Sequence, residues 1–141
     1  MGGVELSAAG CRNERSGCVS DADDTAEENG FSECVDIIRN ENPDILVFGM
    51  SFDYYKNGKP YRREALIPEQ SGLLTKAQLR ENLESLYNTN SLSSACNKFF
   101  KRTLIIDNNI LFNTNYFLME DFLFSLELFS ISSSWNFTCE A

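Results

Sequence analysis

Histidine is absent from all 141 residues. That removes the Ser–His and Cys–His nucleophile systems and the common zinc ligand sets. Any acid–base chemistry is left to Asp, Glu, Cys, Tyr or Lys. Basic residues are scarce, with 12 Lys and Arg against 21 Asp and Glu and a formal net charge of -9. Such a surface has little with which to match a phosphate backbone, and it repels anionic lipid, which argues against nucleic acid as the main partner. No cysteine pair has CxxC spacing, and Cys11, Cys18, Cys34, Cys96 and Cys139 are an odd set. They read as thiols of a reducing compartment, and they argue against zinc and against a disulfide framework. Long apolar runs are missing too. The most apolar stretch, 110–131, is broken by Asn113, Asn115, Glu120, Asp121 and Glu127, so no transmembrane segment is expected. Residues 1–10 lack the basic region and apolar run of a signal peptide. Both absences point to the cytoplasm.

What is present suffices for a core. Hydrophobic residues make up 43% and charged residues 23%, ordinary globular usage for one domain over 1–141. Residues 1–10 and 132–141 are weakly specified and expected to be poorly ordered. Cys18-Val19-Ser20 is a short strand-like piece. Phe31, Cys34, Val35, Ile37 and Ile38 recur at helical spacing, with Asp24 or Thr25 as the expected cap and Asn42-Pro43 as the stop. Residues 44–55 read as one strand, Asn57-Gly58 as a hairpin turn, and 61–67 as the returning strand. Residues 68–74 read as a loop. Thr75-Lys76-Ala77-Gln78 is a capping box ahead of a helix carrying Leu79, Leu83, Leu86 and Tyr87. Residues 103–108 suggest a helical turn, 110–112 a short extended piece, and 119–130 an apolar helix. Alternating strands and helices with an inserted β-hairpin predict an α/β or α+β layered domain.

Two acidic constellations stand out. Asp21-Ala22-Asp23-Asp24 follows the apolar Cys18-Val19. A strand feeding clustered carboxylates can hold a hard cation at a sheet's end, and the cation offsets their mutual repulsion. The same spacing also fits a solvated, acidic helix start. An EF-hand loop does not fit, because Ala26 stands where Gly is required and Ser32 where a bidentate Glu belongs. Glu120-Asp121 opens the second apolar helix, flanked by Met119 and Phe122; a carboxylate in such surroundings can serve as a base, or simply complement the helix N-terminus. Between these sites lies Cys96-Asn97-Lys98, in which Lys98 could meet a phosphate and Asn97 could orient a hydroxyl.

The order of these pieces is more specific than any one of them. Cys11-Arg12-Asn13, Asp21-Ala22-Asp23-Asp24, Ile37-Ile38-Arg39-Asn40-Glu41-Asn42-Pro43-Asp44-Ile45, Cys96-Asn97-Lys98-Phe99-Phe100-Lys101-Arg102 and Phe117-Leu118-Met119-Glu120-Asp121-Phe122-Leu123-Phe124 together resemble family 2 glycosyltransferases of the GT-A fold. The likeness runs over roughly residues 10–130. It implies a partial GT-A-like sheet flanked by helices. It implies inverting, metal-dependent transfer of a hexose from a nucleotide-diphosphate sugar, expected to be a UDP-sugar, to a glycan or lipid-linked acceptor, with the chain cytoplasmic or peripheral at the inner face of the membrane. Residue by residue, the resemblance implies that Asp21 and Asp23 form the family's DxD pair, with Asp23 the ligand of Mn²⁺ or Mg²⁺ and Asp24 supporting both. Arg12 and Asn13 would lie near the nucleotide. Asp121 would be the general base and Glu120 would place the acceptor, beside Cys96, Asn97 and Lys98. The family's opening apolar strand and Pro-x-Tyr-Asn segment have no counterpart before Cys11, and 13–21 is shorter than the family's equivalent. A catalytically inactive, truncated remnant acting as a binding or interaction module is the alternative.

Overall fold

The computed structural model describes residues 16–20 and 24–138. Its elements are β1 (Ser16–Cys18), α1 (Gly30–Glu41), β2 (Ile45–Val47), β3 (Met50–Lys56), β4 (Lys59–Leu66), β5 (Gly72–Thr75), α2 (Lys76–Glu81), α3 (Leu83–Asn88), β6 (Lys98–Lys101), α4 (Arg102–Asp107), α5 (Glu120–Ile131) and β7 (Ser134–Phe137). The fold is mixed α/β. A five-stranded sheet runs in the order β1-β6-β2-β7-β5, and β3 and β4 form a separate hairpin. Among the described residues, the β2–β7 pairing in the larger sheet is parallel and its other pairings are antiparallel.

The sheet is covered on both faces. Successive strand side chains point to opposite sides, and the core divides accordingly. Ile45, Val47, Phe100, Trp135 and Phe137 pack with Leu79, Leu86, Phe124 and Leu128 from α2, α3 and α5. Leu46, Cys18 and Phe99 pack with Cys34, Phe31, Ile37 and Ile38 from α1. The apolar stripe read in the sequence is therefore the face that α1 lays on the sheet. Phe31 meets Phe48 and Phe99 edge-on, with ring centroids 5.8 and 5.3 Å apart. Polar ties supplement this layer: Asn136 donates to Glu41, and Thr138 donates to Glu33 over 3.3 Å.

Several boundaries differ from expectation. α1 starts at Gly30 behind a left-handed Asn29, not behind Asp24 or Thr25. Its stop is as expected, at a left-handed Asn42 whose N–H bonds the Ile38 carbonyl. The expected strand 44–55 breaks after Val47, because β2 belongs to the large sheet and β3 leaves it to pair with β4. The hairpin turn is as read: Asn57 and Gly58 have φ of 51° and 74°, the double positive φ that a tight hairpin requires. The expected loop 68–74 contains the start of β5, which borders β7. Thr75 closes the expected capping box with Gln78. The helix behind it is interrupted at Asn82, giving α2 and α3. The extended piece expected at 110–112 is not a strand.

The largest correction concerns the C-terminal segment. Residues 132–138, expected to be poorly ordered, include β7, an interior strand in which Trp135 has no exposed surface. The indole Nε1–H donates to the Ser132 hydroxyl, and Phe129 packs edge-on against the ring at 5.7 Å. A buried Trp with its polar atom satisfied anchors strongly. Among the described residues, no helix is long and apolar enough to cross a membrane.

Candidate functional site

β2 ends at Val47 and the chain turns outward through Phe48 and Gly49 into the hairpin. This exit, the segment after β1, the start of α1 and the loop before β6 converge beside the sheet. Two contiguous cavities open there. The larger, about 580 Å³, is lined by Asp24, Thr25, Glu27, Met50, Asp53 and Arg63, among others. The smaller, about 340 Å³, is lined by Asp24, Met50, Phe52, Asn90, Ser93, Ser94, Cys96 and Asp121. Asp24, Met50, Phe52 and Cys96 border both.

Asp121 reaches this cleft because Met119, at φ 67°, turns the chain sharply into α5. The carboxylate therefore sits in the helix's first turn, where the exposed N–H groups favour negative charge. It is half-buried, and its Oδ2 accepts the Ala95 N–H over 3.3 Å. One turn on, Ser125 donates to the Ser94 carbonyl over 3.3 Å. α5 thus grips the turn before β6 at two points on one face.

Asn97 and Lys98 do not line the cleft. Both are buried, at 1% and 0% exposure, so the expectation that they touch an acceptor is corrected. Asn97 is consumed by structure: its Nδ2 donates to the Asn90 carbonyl over 3.1 Å, and its own carbonyl accepts from Phe48 over 3.0 Å. The Lys98 ammonium donates to the Ser94 carbonyl and, over 2.9 Å, to the Asn97 side chain. Removal from water pushes its pKa down to about 7, against the opposing pull of Asp121 and Cys96. Of the triplet, only Cys96 borders the cavities. Glu120 is half-buried and lines neither of them.

Arg12, Asn13, Asp21 and Asp23 lie outside the described residues. Among the described residues, no three His, Cys, Asp or Glu side chains cluster as a metal site. Asp24 and Asp121 are the carboxylate-bearing residues that line the smaller cavity, and carboxylate is the kind of hard donor that Mg²⁺ or Mn²⁺ takes.

Sequence reasoning missed some of the lining. Ser93, Ser94 and Asn90 come from the Asn- and Ser-rich patch before β6, whose polar composition was its only signal. Glu27 and Arg63 are bonded to each other across the cleft, and Arg63 also lies 3.3 Å from Asp53. These contacts join residues distant in the chain, and no local pattern announces them. No protein-family model and no curated protein matches the chain.

Proposed function

We propose that the chain carries the acidic half of a metal-dependent, inverting glycosyltransferase site of the GT-A type, acting on a nucleotide-diphosphate sugar, most simply a UDP-sugar, and a glycan or lipid-linked acceptor. The observation that carries this reading is the meeting of Asp24 and Asp121 on one cavity, although 97 positions separate them in the chain. Asp24 adjoins the Asp21/Asp23 pair, and Asp121 belongs to the Glu-Asp motif. A cavity of about 340 Å³ is at the lower end of small-ligand sites.

On this reading, Asp121 takes the proton of an acceptor hydroxyl. The resulting oxygen attacks the anomeric carbon from the face opposite the diphosphate, and the bond to the leaving oxygen breaks. Configuration inverts and no covalent enzyme intermediate forms, which suits a chain without histidine. Asp23 would hold Mn²⁺ or Mg²⁺, which when bound supplies Lewis-acid stabilisation of the departing diphosphate. The Ala95 N–H orients the Asp121 carboxylate.

Calorimetric titration of the purified chain with UDP, with and without Mn²⁺, tests the proposal. Metal-dependent binding is expected, together with its loss in Asp23→Ala. A folded sample that binds no UDP with Mn²⁺ overturns a working donor site and leaves the inactive-remnant alternative.

A further inference from the structure

β3 and β4 pair with each other outside the large sheet, so the hairpin forms an arm. The arm begins at the cleft. Met50 and Phe52 border both cavities, and Tyr54 and Tyr55 border the larger one. The bond from Arg63 to Glu27 ties the arm to the segment before α1, which makes it a wall of that cavity. Its composition differs from the rest of the chain. Residues 54–63 hold four of the 12 basic side chains, Lys56, Lys59, Arg62 and Arg63, and none of the 21 acidic ones. They also hold three of the five tyrosines, and Tyr55 and Tyr61 are 63% and 62% exposed.

A bulge places the tyrosines. Tyr54 stands opposite Arg62 and Tyr55 opposite Pro60, so Tyr61 is an additional residue in β4. Bulges re-aim side chains. Here the Tyr61 ring lies 6.3 Å from the Tyr54 ring, and the Arg62 guanidinium lies 5.2 Å from the Tyr54 ring centre. Glu64 holds that pair, accepting from Arg62 over 2.8 Å and from the Tyr54 hydroxyl over 3.4 Å. Cross-strand packing accounts for Tyr54. It leaves Tyr55 and Tyr61 mostly in water, where neither the hairpin nor the core uses them.

A pyranose ring has a C–H face that packs on a flat aromatic ring, and hydroxyls that donate charge-assisted bonds to carboxylates. The arm supplies exposed rings, and the cavity it walls supplies Asp24, Glu27 and Asp53. Those carboxylates oppose a nucleic acid, which carries a phosphate on every unit. The cations beside the rings match a sugar that bears an acid group on some units only. We propose that the β3–β4 arm is a binding site for an anionic glycan, with sugar rings stacked on Tyr55 and Tyr61 and uronic acid carboxylates met by Lys56 and Lys59. That this glycan is the acceptor rests on the glycosyltransferase reading; the binding itself does not.

The test is NMR titration of the full chain, labelled on its tyrosine rings, with hexasaccharides of hyaluronan and of galacturonic acid, with neutral cellohexaose, and with a hexamer of thymidylate. The acidic sugars are expected to bind most tightly, to shift the Tyr55 and Tyr61 rings and leave Tyr87 and Tyr116 unmoved, and to bind less tightly as salt is added. Tyr55→Ala and Tyr61→Ala should each weaken binding roughly three- to tenfold. The pair Lys56→Ser and Lys59→Ser should remove most of the salt dependence and the preference over cellohexaose. Binding of neither acidic sugar overturns the proposal, as does binding that leaves both rings unmoved. Equal binding of cellohexaose overturns the anionic class, and tighter binding of the thymidylate overturns the glycan. The native chain alone decides these outcomes should a variant fail to fold. No arm uses UDP or a metal, so failure here and failure of the glycosyltransferase reading register in separate experiments.

Discussion

At the scale of single residues, one buried and one half-buried charge each make stability rise with pH, in different windows and for different reasons. Lys98 titrates at about 7 in the folded chain against 10.5 for an ordinary lysine, because burial disfavours its charged form. Between these values the unfolded chain binds a proton that the folded chain has released. Stability linked to Lys98 therefore rises with pH from about 7 to about 10.5, and below about 7 its penalty is felt in full. Urea unfolding across that window should show the rise in the native chain and a flatter profile in Lys98→Met. The Asp44 pKa is lowered as well, but by favourable partners and against its burial. Burial works to raise its pKa, but hydrogen bonds from the Ser133 N–H and Lys101, and the Lys101 charge, outweigh that and leave it below 3.8. The Asp44 carboxylate accepts from Ser133 at 2.7 Å and from Lys101 at 2.9 Å, while its backbone N–H donates to the Ser134 hydroxyl at 3.0 Å. Its contribution is present above pH 3.8 and is lost as pH falls through the lowered folded value. Asp44→Ala should cost roughly 1–3 kcal/mol near neutral pH, since it leaves part-buried donors unpaired. Acid titration should show that difference from the native chain closing.

At the scale of elements, capping and burial set the predictions. α2 has only six residues, so its cap is a large part of its stability. Thr75→Ala, which removes the side-chain acceptor of the Gln78 N–H, should cost about 0.5–2 kcal/mol in thermal or urea unfolding. Trp135→Ala should cost about 3–5 kcal/mol in the same assay, since it empties a fully buried site in an interior strand. α1 was legible in the sequence because packing against one face imposes a period that can be counted, with Phe31, Cys34, Ile37 and Ile38 laid on the sheet. α5 was legible as an apolar helix but not in its face, because it is apolar nearly all round and the sheet buries Phe124 and Leu128 while Phe122, Leu126 and Phe129 are only partly covered and Leu123 is exposed. The Asn57-Gly58 turn was legible because its backbone needs those residue types. β6 and β7 were not. Each is four residues long, too short for a period, and each contains polar residues that are buried only because distant segments cover them. Lys98 and Asn136 look like surface residues until their partners, Asn97 and Glu41, are in place. The same reason divides the candidate site. Asp24 and Asp121 stand in motifs that announce themselves, whereas the burial of Asn97 and Lys98 depends on α5 and on the exit from β2.

At the scale of the whole molecule, a net charge of -9 sets the conditions for binding. A diphosphate approaching a cleft bordered by Asp24, Asp53 and Asp121 meets repulsion unless a cation is present or salt screens it. In the absence of Mn²⁺, any residual UDP affinity should rise with ionic strength. In its presence the salt dependence should be weak. Calorimetric titrations at low and high salt check both.

The strand order also governs how the chain can acquire its fold. β2 is flanked by β6 and β7, both made long after it, and β7 completes the sheet by entering between β2 and β5. While the chain emerges in sequence order, Ile45, Leu46 and Val47 have no strand beside them until more than half of the remaining chain has appeared. Loop closure over such separations is slow, and an apolar strand left waiting in this way is an aggregation hazard during synthesis. In the living cell, the time between the making of β2 and the arrival of β7 is when a chaperone that shields short apolar strands would matter most to the yield of this protein.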